Sequence, residues 1–112
     1  MAALFYRVVD NREPVEWDFM SNFAKGKPPR RSEITNPAEH RAISAFSDLE
    51  GARYIQARYP RMGRYVAVVD FELADTPIGI VKADDDPEST HYNLTGEPST
   101  FLRCIREVLG PF

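Results

Sequence analysis

Residues Arg64–Leu73 read RYVAVVDFEL, and every position from Tyr65 to Val69 is apolar. Three valines and a tyrosine favour a strand, and a strand apolar on both faces belongs in the middle of a sheet. Working back from it, Ser47-Asp48-Leu49-Glu50 is a capping box, with Ser47 at the N-cap and Glu50 three residues on. Leu49, Ala52, Ile55 and Tyr59 then recur at helical spacing, and Pro60 ends the helix. Ala42–Phe46 (AISAF) reads as a short buried strand. Before it, Asn36-Pro37-Ala38-Glu39 starts a brief helix, with Asn at the cap and Pro at the first helical position.

The flanks complete the outline. Ala2–Asp10 (AALFYRVVD) reads as a strand in which Tyr6 and Val8 share one face and Phe5, Arg7 and Val9 the other. Glu16–Ala24 suits a short helix, and Lys25–Ser32 (KGKPPRRS) a loop. Downstream, Gly79–Ala83 and Thr90–Thr95 are two short strands. A last helix opens near Pro98 or Ser99, places Phe101, Leu102, Ile105, Val108 and Leu109 on one face, and stops at Gly110-Pro111. Helices and strands without a regular alternation predict an α+β fold. The expectation is a single compact domain over 1–112. Its central mixed or split β-sheet has about five strands, flanked by three to four helices.

With 43% hydrophobic and 28% charged residues in 112, the chain has the composition of a globular domain, neither disordered nor collagen-like. No apolar run reaches the roughly 18 residues of a membrane span. Met1–Arg7 lacks the basic-then-apolar order of a secretory signal. One cysteine, Cys104, cannot close an intramolecular disulfide, so a cytoplasmic location is expected.

The formal charge of −3 hides two unlike halves. Residues 1–64 carry 11 basic against 8 acidic residues, whereas residues 65–112 carry 3 against 9. Lys25, Lys27, Arg30 and Arg31 form one basic cluster, and Arg53, Arg58, Arg61 and Arg64 a second; Asp84-Asp85-Asp86-Pro87-Glu88 is the acidic counterpart. Such asymmetry suits an anionic ligand on one side of the molecule; solvated loops and a helix face are the plainer alternative.

Metal chemistry has no support, because two distant histidines and one cysteine match no ligand spacing. A P-loop, a dinucleotide glycine fingerprint and a nucleophile elbow are all absent. Cys104 falls on the apolar face of the last helix and reads as a small core residue. The residues left for chemistry are Arg7 in the first strand, Ser44 in the second, and the segment His91-Tyr92-Asn93-Leu94-Thr95-Gly96-Glu97. A guanidinium forks onto phosphate, a strand hydroxyl bonds a sugar, His and Tyr stack on flat rings, and a carboxylate stabilises a cationic sugar. Each residue also has a structural reading: Arg7 in an internal pair, Ser44 bonded to backbone, His91 and Tyr92 closing a loop.

The succession LFYRVV, ISAFS, DLEGARYIQARYP and GRYVAVVDFEL resembles the mono-ADP-ribosyltransferase fold, through distant likeness to small bacterial proteins of that kind. It covers residues 4–73 in order of elements and the tail more loosely. The resemblance implies a split sheet clamping NAD, with Arg7, Ser44 and Tyr92 as cofactor-binding residues and Glu97 and His91 as the catalytic ones. It also implies transfer of ADP-ribose by a toxin or modifying effector. The serine segment is not the family's Ser-Thr-Ser, and Glu97 stands beside Pro98 at a helix start rather than inside a strand. Partners on this reading are a protein target or an antitoxin-like protein, without a membrane. A non-catalytic interaction module is the second reading. A nucleic-acid-binding module is the third, its tyrosines 54, 59 and 65 interleaved with arginines. If Arg7 and Ser44 point to opposite sides of the sheet, the carry-over of site residues from the resembled family fails.

Overall fold

The computed structural model describes residues 3–112. Met1 and Ala2, where the first strand and the reading of the N-terminal segment begin, lie outside the described residues. Six strands form one sheet: β1 (Leu4–Val9), β2 (Ile43–Phe46), β3 (Tyr65–Asp70), β4 (Gly79–Lys82), β5 (His91–Thr95) and β6 (Ile105–Leu109). Their spatial order is β4-β5-β2-β1-β3-β6, and all five neighbouring pairs run antiparallel. Four short helices accompany them: α1 (Arg31–Thr35), α2 (Pro37–His40), α3 (Leu49–Arg58) and α4 (Pro98–Arg103). The fold is α+β, as the order of elements predicts, with one strand more than expected.

The extra strand is the second half of the expected last helix. Helix α4 stops at Arg103, and Ile105–Leu109 turns into β6 along the open edge of β3. The apolar positions 105, 108 and 109 fit a helical stripe, but they fit this edge better. β3 is buried throughout from Val66 to Asp70 and needs a neighbour on each side to satisfy its backbone. Val108 and Leu109, adjacent in sequence, then pack on opposite faces of the sheet. Two smaller differences follow from local chemistry. Between Glu16 and Phe19 there is only a single 3-10 turn, not a helix to Ala24. Asp48, not Ser47, caps α3, its carboxylate accepting from the Gly51 amide at 2.8 Å.

The sheet is covered on both sides. On one face Val9, Ala45, Ala67, Val69 and Leu94 pack with Phe19, Phe101 and the buried Cys104, and Phe19 stacks on Phe101 at 5.8 Å. On the other, Val8, Phe46 and Val66 receive Ala52 of α3. β1 and β3 pair over all six residues of β1, whereas β1 and β2 meet only at Tyr6–Phe46. Beyond that pair the two central strands part. This split is the feature that makes a site.

Candidate functional site

A cleft of about 700 Å³ opens at the split between β1 and β2. Its floor combines Ser44 and Phe46 of β2 with His91 and Asn93 of β5, which pair as Ser44–Asn93 and Phe46–His91. Paired residues share a face, so this period-two pattern lays a strip of polar groups beside an aromatic stack. The His91 ring lies 5.0 Å from Phe46 and 18° from parallel. One wall is the loop from Trp17 to Arg30, which brings Lys25, Lys27 and Arg30 to the mouth. Glu39 of α2 and the Tyr59–Met62 turn after α3 complete the enclosure.

Arg7 sits in the split itself. Tyr6 pairs with Phe46, so Arg7 follows the face of Ala45 and Ala67, opposite to Ser44. The two side chains therefore point to opposite sides of the sheet, and the carry-over of Arg7 and Ser44 as one set of cofactor contacts from the resembled family fails. Because the strands part here, the guanidinium still reaches the edge of β2: Nη1 donates to the Ser44 carbonyl at 2.6 Å, and Nε donates to the Asp18 carbonyl at 2.9 Å. Arg7 supplies the hydrogen bonds that a neighbouring strand otherwise gives. Nη2 has no protein hydrogen bond among the described residues, and both Arg7 and Ser44 border the cleft. Burial lowers the Arg7 pKa to about 10 despite the nearby Asp18 charge, so it stays a cation at neutral pH.

Asp18 explains the shape of the cationic wall. It is buried, and its carboxylate accepts from the amides of Asp10 and Val15 and from Asn11 Nδ2, at 2.9–3.1 Å. These bonds fold residues 10–18 into a tight loop and leave Trp17 half in solvent, with Lys25 Nζ 4.7 Å from its ring centroid. Lys25 feels burial first, then repulsion from Arg7 and Lys27, and its pKa is lowered. The repulsion that Lys25 feels from two neighbouring cations on the cleft lining is what an anion would relieve.

The other sequence candidates lie elsewhere. Tyr92 points to the opposite face, where it meets the Phe5 ring edge-on at 5.2 Å within the core. Glu97 is exposed at the N-cap of α4, on no wall of the cleft, with its carbonyl bonded to the Thr100 and Phe101 amides. Of the five residues singled out, the cleft gathers Arg7, Ser44 and His91. It takes Asn93 from the polar segment 91–97 and adds Glu39 and Trp17, which motif reading passed over as site residues. For Asn93 the signal was present: polar 91 and 93 alternate with apolar 92 and 94, marking a strand with one polar face. Among the described residues no group of acidic, histidine and cysteine side chains is placed to hold a metal ion. The Cys104 thiol is buried and pushed up in pKa, as suits a core residue rather than a nucleophile.

His91 makes a testable mark on stability. Burial lowers its pKa below the ordinary 6.5, outweighing the carboxylates of Asp84 and Glu39, and Nε2 is enclosed without a partner among the described residues. Between its folded pKa and 6.5 the unfolded chain binds the extra proton, so stability falls as pH drops through that window and levels off below it. His91→Phe keeps the stack on Phe46 and removes the titration. Its melting temperature should fall less than the parent's between pH 6.5 and 5; parallel curves for the two proteins would refute the assignment.

Among the described residues no helix is long and apolar enough to cross a membrane. The chain matches no family model, no curated protein and no solved structure.

Proposed function

We propose that the cleft binds a phosphate-bearing dinucleotide of the NAD type and that the protein acts as an ADP-ribosyltransferase-like enzyme. One observation carries this reading: the Arg7, Lys25 and Lys27 cations converge on a cleft whose floor is a polar and aromatic strip at a sheet split. A pyrophosphate answers the cations, and Trp17 and the His91–Phe46 stack offer flat surfaces to rings. Ser44 Oγ and Asn93 suit ribose hydroxyls. A volume of about 700 Å³ is of the size that small-molecule and cofactor sites use.

In this arrangement Arg7 holds the cleft open as a wall and lends charge, while Lys25 and Lys27 take the phosphates. Of the carboxylates that line the cleft, Glu39 is the one whose charge is felt at His91 on the floor, and its Oε1 accepts from Ser32 Oγ at 3.2 Å. On this reading Glu39, rather than Glu97, which lines no wall of the cleft, stabilises positive charge on a ribose carbon as the glycosidic bond to nicotinamide breaks. Titration calorimetry with NAD tests the binding, and no heat at millimolar ligand removes the proposal. Lys25→Glu should weaken NAD by about tenfold or more, the loss of one charge-assisted contact. Glu39→Gln should slow nicotinamide release by about 10²-fold or more with affinity retained, while Glu97→Gln leaves both unchanged.

A further inference from the structure

We infer that the outward face of α3 and the turn after it form a binding surface for single-stranded nucleic acid. From Gly51 to Val69 the chain has four arginines and no carboxylate. Helix α3 buries Ala52 and Gln56 and turns Arg53, Tyr54 and Arg58 outward. The ion pairs among the described residues engage Arg103 and Arg106, so Arg53, Arg58, Arg61 and Arg64 have no carboxylate partner. Two of the four guanidiniums, those of Arg53 and Arg58, lie by rings instead. Arg53 is 3.8 Å from the Phe112 centroid, and Arg58 donates to Tyr54 Oη at 3.3 Å while lying 5.9 Å from the Tyr59 centroid.

Large rings left in water need a reason, and here Tyr54 is 65% exposed, Tyr59 51% and Phe112 42%. An acidic peptide would answer the four charges but would leave the rings idle. Bases on a phosphate backbone answer both, since every base has a face to stack and every linkage a negative charge. The surface also has a direction. Asp48, Glu50 and Glu88 border a small hollow beside Tyr54 at the start of α3 and repel phosphates there. A strand is thereby steered from Tyr54 toward Arg61 and Tyr59, which border the cleft. The surface rests on residues outside the cleft floor and stands independently of what the cleft holds.

The test is fluorescence anisotropy of labelled oligo(dT) and oligo(U) of about 12 nucleotides, titrated with the full chain. Binding through about four phosphates should weaken roughly 50-fold between 50 and 200 mM salt. Tyr54→Ala should weaken it by about tenfold at constant salt through lost stacking. Arg53→Glu with Arg58→Glu should abolish it. Circular dichroism and NAD titration of the same variants separate this surface from the cleft, because none of the three residues borders it. Absence of binding at low salt overturns the inference. So does displacement by poly-glutamate at equal charge together with an unaffected Tyr54→Ala, an outcome that assigns the surface to an acidic protein.

Discussion

Arg7→Ala should lower the free energy of unfolding by about 4 kcal/mol, measured by urea denaturation, while Arg7→Lys recovers only part of it. Ser44 O and Asp18 O both point into a space that no strand fills, and both are satisfied by one guanidinium. Alanine leaves two inward carbonyls without donors, each a penalty of about 1–3 kcal/mol. It also removes the cation that faces the buried Asp18 carboxylate. Lysine restores a charge but not the fork, since one ammonium on a flexible stem cannot span two carbonyls on different elements with the same geometry. Dinucleotide affinity should fall with stability, because the guanidinium fixes the distance between the Trp17 loop and β2. A loss under about 1 kcal/mol would mean that water serves the carbonyls equally well and that Arg7 is no part of the frame.

The Arg7 result also shows where sequence reading stops. That a lone arginine on an apolar strand face needs a partner follows from its burial alone, and the alternation that places Phe5, Arg7 and Val9 together holds in the structure. The partner does not follow, because Ser44 O and Asp18 O are backbone atoms 37 and 11 residues away, one brought in by the sheet and the other by the folded 10–18 loop. The same limit explains β6. Residues 105–109 carry a helical spacing, and they become a strand, with a register shift between Val68 and Val69, because of the bare edge of β3, which is a tertiary fact. The apolar run of Arg64–Leu73, which suits only a central strand, and the one-sided stripe of the capped helix α3 are legible because each pattern admits one solution.

For the site, residue type was legible and direction was not. His91 and Tyr92 are neighbours with similar chemistry, yet strand alternation sends one to the cleft and the other to the core. Glu97 and Glu39 are both carboxylates next to helix starts. Only the fold tells that α2 overlooks the floor while the start of α4 lies on no cleft wall. The loop from Lys25 was legible as a charge cluster. Its use as a cleft wall depends on the three bonds that Asp18 makes, and a single aspartate in a polar loop carries no such signature.

Gly63→Ala should be as damaging as the loss of Arg7, at about 4 kcal/mol, for a reason that a second glycine isolates. Gly63 follows the Pro60–Met62 turn at φ +145°, ψ 165°, a region that side chains other than glycine scarcely enter. A Cβ added there overlaps the Val9 carbonyl, its carbon being only 2.6 Å away. Val9 cannot retreat, because it is 2% exposed and belongs to the fully paired β1–β3 ladder. Gly63 O also accepts from Gln56 Nε2 at 3.2 Å, so displacing it loosens the buried side of α3. Gly26 supplies the control. It too has positive φ, at +76°, but an added Cβ meets nothing within 4 Å. Gly26→Ala therefore carries backbone strain alone, about 1–2 kcal/mol. The difference between the two variants in urea unfolding measures what Gly63 adds to ordinary left-handed strain: the contact with Val9, the harsher backbone region and the loosened Gln56 bond. Equal losses would show that the close approach of the turn to β1 relaxes freely. A larger loss at Gly63, together with weakened dinucleotide binding, would tie the turn bearing Tyr59 and Arg61 to the frame of the cleft.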